Sequence, residues 1–285
     1  MRRFIMPPIA LAALVACTQV TADVVLRYGF TAGQTLVYDC TSTGEGVIQA
    51  MGRTDPLRTS AAFAYVVSCT GVSPEGNMTL VHEVQEPRIS AMWGSQPIAT
   101  NVSIPTVITV IEPGGRVLST QVQQAAVAGA GGLSGMMPGT GFDVGQFFGE
   151  LRGPSFPAEP LGPGSKWQDQ VTVTTQSGQP MVIDYVTALL DFAKLHDRPC
   201  ARLQTEYRVP LDLSLSGGGL FTATGSNVGS QISYFDYEAG RVLRYDGTSD
   251  TEMTMATPQL FGGGGQQTSV QMNLRSITSV VLRQG

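Results

Sequence analysis

The sequence predicts a mainly β fold: two duplicated antiparallel β-meander units forming curved sheets or half-barrels, with a short helical, Gly-rich linker between them. Three observations predict it. Apolar and β-branched residues alternate in run after run, turn residues separate the runs, and no amphipathic helix of 10 to 15 residues lies between them. Gly (34) and Pro (17) are plentiful in the 285 residues while only 14% are charged, which suits a turn-rich sheet better than a helical bundle. One corner also occurs twice, as Gly115-Arg116-Val117-Leu118 after Glu112-Pro113-Gly114 and as Gly240-Arg241-Val242-Leu243 after Tyr237-Glu238-Ala239. Glycine supplies the positive φ of a hairpin turn, and Pro113 presets its first central position.

The first unit covers residues 23–120. Strands are expected over 24–30 and 35–43 around a Thr31-Ala32-Gly33-Gln34 turn. The chain then turns at Gly52-Arg53-Thr54-Asp55-Pro56 and runs back over 61–69. A turn at Ser73-Pro74-Glu75-Gly76-Asn77 leads into 78–84, and further strands are expected at 88–93, 98–102 and 106–111, the last feeding the first repeated corner. Residues 121–160 form the linker or a lid, with a short helix over 121–127, a small uncharged stretch from Gly129 to Pro138, and another helical turn or two over 142–151. The second unit, 161–285, restarts at Gly162-Pro163-Gly164-Ser165-Lys166-Trp167, which matches the Gly33 turn 131 residues earlier, and the repeated corners lie 125 residues apart. Its strands are expected over 168–175, 181–195, 200–215, 232–237, 242–254 and 269–282, with a turn at His196-Asp197-Arg198-Pro199 and breaks at Gly217-Gly218-Gly219 and Gly225.

Residues 1–22 read as an export signal. Met1-Arg2-Arg3 is basic, residues 4–16 are apolar, and two processing sites follow. Leu14-Val15-Ala16-Cys17 has the form of a bacterial lipobox, which makes Cys17 the candidate lipidation site, while Val20-Thr21-Ala22 suits ordinary cleavage after Ala22. Both remain open. An uncleaved anchor is disfavoured, because the apolar run falls short of the ~20 residues that span a bilayer. The expected location is therefore the periplasm, the membrane surface through lipid on Cys17, or secretion; the membrane is met only through that N-terminal anchor. The acidic balance, 17 Lys+Arg against 22 Asp+Glu, disfavours nucleic acid as a partner.

An oxidising compartment gives the cysteines meaning. Facing positions of a hairpin share one centre, and Cys40 and Cys69 are centred between Thr54 and Asp55, inside the expected turn, so a Cys40–Cys69 cross-strand disulfide is predicted. Two buried free thiols are the alternative. Cys200, without a partner, reads as a core thiol.

No reactive constellation is found. His82 lies in a strand pattern and His196 in a turn, no Cys-x-x-Cys, His-x-x-x-His or Glu-x-x-His occurs, and no metal or other cofactor is implied. Gly225-Ser226-Asn227-Val228-Gly229 puts its serine one place early for a nucleophile elbow. A hydrolase using His196 with Asp197 is a remote alternative, since a solvated turn accounts for both. Binding is better motivated: long antiparallel strands with one apolar face curl around a cavity, and such mouths hold apolar ligands. The candidate lining is Phe63, Tyr65, Val67, Ile89, Trp93, Tyr185 and Leu189, with Met136 and Met137 as a cover. A filled core in a structural or protein-interaction module explains the same residues.

The lipobox, the two meander repeats with Gly-polar-x-apolar starts, and the closing Gly-Arg-Val-Leu corners together resemble uncharacterised bacterial exported two-repeat β-sheet proteins. More distantly they resemble the half-barrel lipoprotein-carrier and lipoprotein group. The resemblance covers most of residues 24–254, and the carrier group implies binding of lipid or lipoprotein acyl chains on a concave sheet with a helical lid. With no reactive constellation in the sequence, the expectation is a non-enzymatic cell-envelope protein that binds an apolar or lipid-like ligand or an envelope protein partner. The resemblance assigns no individual site residue.

Overall fold

A computed structural model describes residues 23–50, 52–98, 104, 106–123, 153–174, 180–214, 222–257 and 268–283. Among these there is no helix. Twelve strands form a single antiparallel sheet: β1 (Thr35–Ala50), β2 (Arg53–Val72), β3 (Met78–Trp93), β4 (Gln96–Ile98), β5 (Thr106–Ile111), β6 (Val117–Gln123), β7 (Lys166–Thr174), β8 (Pro180–Leu195), β9 (Arg198–Ser214), β10 (Thr222–Asp236), β11 (Arg241–Thr257) and β12 (Thr268–Leu282). Their order is β6-β5-β3-β2-β1-β12-β11-β10-β9-β8-β7, with β4 added beside β3. The sheet is curved and nearly closed into a barrel. The two halves of the chain meet where the last strand, β12, pairs with the first, β1.

Most strands are far longer than average, and glycine explains how they bend. A Cβ on Gly46 would lie 2.0 Å from the Asn273 carbonyl oxygen, and one on Gly225 would lie 2.0 Å from that of Glu252. At both places the neighbouring backbone comes too close for any side chain, so the sheet coils sharply there. Gly225, expected to break a strand, instead lies inside β10. A bulge at Glu86, with φ 52, lets β3 run on from Met78 to Trp93 as one strand where two were expected.

The expected disulfide is overturned by the register. β1 and β2 reverse at Gly52, with φ 74, and Pro56 sits in β2 opposite Val47 instead of in the turn. Pairing of β2 with β3 begins at Leu57 opposite Trp93, so Pro56 lies just beyond that ladder, where its missing N–H costs nothing. The hairpin centre therefore moves toward the N-terminus. Cys40 faces Phe63 in β2 and Cys69 faces Leu80 in β3, and Cys40, Cys69 and Cys200 are all buried free thiols. Burial pushes the Cys40 thiol up to about 12 and raises that of Cys200. All three behave as core residues.

Two further expectations change. Residues 24–30 do not form a strand but an extended strap with a single bridge, Val24 to Leu161. Gln121 to Gln123, expected to begin a helix, continue β6. The rest of the linker's helical expectation, and the signal with Cys17, lie outside the described residues.

The chain makes the same start twice. Gly33 N–H donates to the Cys69 carbonyl and Cys69 N–H to that of Gln34 (both 2.8 Å); Gly164 N–H donates to the Leu189 carbonyl at 2.7 Å and Leu189 N–H to that of Ser165 at 2.9 Å. Gly33 and Gly164 share φ values of 85° and 90°.

Candidate functional site

One end of the barrel is stoppered. The strap lies across it, held by both repeated corners through consecutive amides: Tyr28 N–H donates to the Pro113 carbonyl at 2.8 Å and Gly29 N–H to that of Gly240 at 3.0 Å. Gly115 and Gly240 have φ of 85° and 64°, and a Cβ on either would strike the strap, at Tyr28 or at the Gly29 nitrogen. Glycine is required at both places for conformation and for closeness together. Residues 153–161 complete the stopper: Phe156 N–H donates to the Gly114 carbonyl at 2.6 Å, and the Trp167 indole of β7 donates to the Ser155 carbonyl at 2.6 Å. This segment thereby spans the seam between the β5–β6 corner and β7. Beneath it Leu26, Phe156, Leu161, Leu189, Leu203 and Phe235 form a buried cluster, with the Phe156 and Phe235 rings 4.6 Å apart.

The concave face below the stopper is ordered in rows, because residues paired across neighbouring strands share a face. One row runs Phe63, Cys40, Val280, Tyr245, Ser233, Leu203, Leu189 from β2 to β8. The next is Ala61, Ser42, Thr278, Gly247, Gln231, Thr205, Thr187, with Ile89 of β3 at one end and Trp167 of β7 at the other. A third reads Thr59, Gly44, Ser276, Ser249, Gly229, Tyr207, Tyr185. These two middle rows form a belt of small, hydroxyl and amide side chains. Ser42 and Thr278 hydroxyls meet at 3.1 Å, and those of Thr187 and Thr205 at 3.0 Å. Toward the other end the face becomes apolar and rich in methionine: Ile48, Leu57, Val209, Met253, Met255 and Met272 pack there with Trp93 against them.

The belt is uncharged from β2 to β8. Asp169, on the edge strand β7 beside Tyr185, is the first acid beyond it, and its charge acts on Arg116 across the seam. Arg241, at the second repeated corner of the stoppered end, acts through its charge on Tyr38, which lies two rows above Ser42.

The expected lining residues do not gather in one place. Phe63, Tyr65 and Val67 are buried in one cluster near the stopper and Leu189 in another. Ile89 ends the belt, Tyr185 packs beside Tyr207, and Trp93 lies in the methionine-rich part. Met136 and Met137 fall outside the described residues. The belt itself was missed by the sequence reading. On β1 the inward Ser42, Gly44 and Gly46 alternate with Thr41, Thr43 and Glu45, so the two faces show none of the apolar contrast by which a buried face is recognised.

His82 is the second finding that the pattern concealed. Its Nδ1 lies 2.7 Å from the Tyr65 hydroxyl and its Nε2 2.8 Å from that of Thr109. Burial lowers its pKa to about 4 and holds that of Tyr65 well above the usual range, so the imidazole is neutral and the phenol protonated. Enclosed in the core, this pair ties β2, β3 and β5 together. His196 and Asp197 occupy an exposed two-residue turn, with φ of 51° and 61°, between β8 and β9. Among the described residues no group of three His, Cys, Asp or Glu side chains is placed to hold a metal ion, and no helix is long and apolar enough to cross a membrane.

No family model and no curated protein matches the chain. Among solved structures it is similar to a DUF1329 family protein from Desulfovibrio piger, at 10% identity over 88% of this chain and 84% of that one, with a TM-score of 0.17. So loose a superposition carries no argument about fold or function.

Proposed function

We propose that this is an exported, non-enzymatic protein of the cell envelope that holds an apolar or lipid-like ligand against the concave face of its sheet. One observation carries the reading: at mid-barrel, where the belt row crosses nine strands, the wall is made mostly of small side chains. An eight-stranded barrel is about the size that side chains alone can fill, and width grows with strand number. Here the row runs from Ile89 of β3 to Trp167 of β7, and Ala61, Ser42 and Thr278 remain half-exposed on the wall beside Gly247. The methionine-rich part adds the adaptable apolar surface that suits a flexible chain.

Export, by lipidation of Cys17 or cleavage after Ala22, belongs to the same reading. Mass analysis of the mature N-terminus distinguishes the two. Ligand carriage is tested by native mass spectrometry of the purified protein, before and after delipidation and incubation with fatty acids and glycerolipids. Uptake at one ligand per chain, abolished by Ala61→Phe with folding retained, is expected. A chain that is isolated ligand-free and takes up neither class overturns the reading, in favour of an interaction module with a filled core.

A further inference from the structure

We infer that the belt recognises an uncharged polar linkage, so that the ligand is a neutral amphiphile: an ester-, amide- or hydroxyl-bearing lipid with no ionised group inside the barrel. The inference rests on the concave face being the ligand site and specifies what that site accepts.

The distribution of polarity on the wall supports it. Apolar residues lie on both sides of the belt, those toward the stopper packed against one another and those beyond it rich in methionine. Between them the polar atoms are neutral hydroxyls and amides, from Gln231, Thr205, Ser249 and their neighbours. An ionised carboxylate or phosphate lodged there has no cation within the belt to meet it, and an unpaired charge taken out of water is strongly disfavoured. An ester or hydroxyl carries no such cost once it is hydrogen-bonded, and the belt supplies both donors and acceptors.

Two inward groups have unspent hydrogen-bonding capacity. Ser233, 1% exposed and one row above the belt, has a buried hydroxyl with no hydrogen-bond partner among the described residues. The Trp93 indole N–H, in the methionine-rich part, is likewise buried without an acceptor among them. Buried donors are almost always hydrogen-bonded, so each of these two groups leaves a partner to be supplied by a bound molecule or water. From the Ser42 row to the end of β1 at Ala50 the wall runs on for about 27 Å, room for an extended chain whose polar end stays at the belt.

The test uses full-length, delipidated protein at pH 8, where a fatty acid is ionised, and measures displacement of a neutral fluorescent lipid by monooleoylglycerol, oleate and octadecene. Monooleoylglycerol is expected to compete at a concentration about tenfold or more below that of either of the others. Gln231→Leu, close in volume, is expected to remove most of its advantage over octadecene with the unfolding midpoint in place. Equal competition by monooleoylglycerol and octadecene shows an apolar site in which the belt plays no part, and overturns the inference while leaving ligand carriage intact. Tighter binding of oleate that is lost in Arg241→Gln overturns it in favour of an anion held at the stoppered end. Failure of all three lipids to bind overturns carriage itself.

Discussion

Replacing Gly240 with alanine tests how the barrel is closed. Its φ of 64° costs an alanine about 1 kcal/mol relative to glycine. The added Cβ would lie 2.2 Å from the Gly29 nitrogen and 2.8 Å from the Arg27 carbonyl oxygen, both backbone atoms that no rotamer change can move aside. The strap must therefore lift, which breaks the Gly29-to-Gly240 hydrogen bond, about 1 kcal/mol, and partly exposes the fully buried Leu26, about 2 kcal/mol. The expected loss is about 4 kcal/mol. Gly52→Ala is the matched control, since Gly52 has φ 74 with nothing within 4 Å of its would-be Cβ, so only the conformational cost of about 1 kcal/mol applies. For a chain of this size each kcal/mol moves the melting midpoint by roughly 2–4 °C, so in thermal denaturation Gly240→Ala should melt roughly 6–12 °C below Gly52→Ala. Midpoints within about 2 °C of each other would refute the closure by the strap.

Two other outcomes follow from buried groups. His82 has a pKa of about 4 in the folded chain against about 6.5 when unfolded, so its contribution is fully present above pH 6.5 and is lost as pH falls toward 4, by roughly 3 kcal/mol in all. Urea midpoints measured across that window should fall for the native sequence, and the slope should flatten in His82→Gln; parallel slopes would show that the imidazole titrates freely. Cys40, Cys69 and Cys200 should resist a thiol reagent until the chain is denatured, and a reductant should leave the melting midpoint unchanged; a fall of several degrees on reduction would restore the cross-strand disulfide.

The fold was legible where chemistry is local. Glycine and proline clusters marked the turns at Ser73–Asn77 and at both repeated corners, and alternation located β5, β8 and β12 within a residue or two. Register was legible only as far as its turn was correctly placed. Pro56 read as part of a turn, because nothing local reveals that its strand's other neighbour begins one residue later, and that error of a few positions produced the disulfide. The concave face was legible in its apolar parts alone. A row such as Ser42, Thr278, Gly247 and Gln231 draws on four strands up to 236 residues apart, and each strand shows polar residues on both faces. Such a row exists only once pairing is known.

The repeated corners have a more specific role than closing two hairpins. Each half of the chain brings a lead-in segment ahead of its Gly33 or Gly164 turn, and both segments go to the same end: Leu26 from the first and Phe156 and Leu161 from the second share one cluster. The Val24–Leu161 bridge joins them, with each N–H bonded to the other's carbonyl at 2.9 Å. The two corners then grip adjacent amides of one lead-in, Tyr28 and Gly29, so the strap is fixed from both halves of the sheet at once. Closure of this end is thus a joint property of the halves, and loosening either corner should loosen the whole stopper. The belt, by contrast, is centred on β10, β11, β12 and β1, where the halves join, and only its end residue, Trp167, reaches the stopper. If the concave face holds the proposed ligand, stability and binding separate along the strands: substitutions at the corners should act on unfolding, and those at Ser42, Gln231 or Thr278 on ligand uptake.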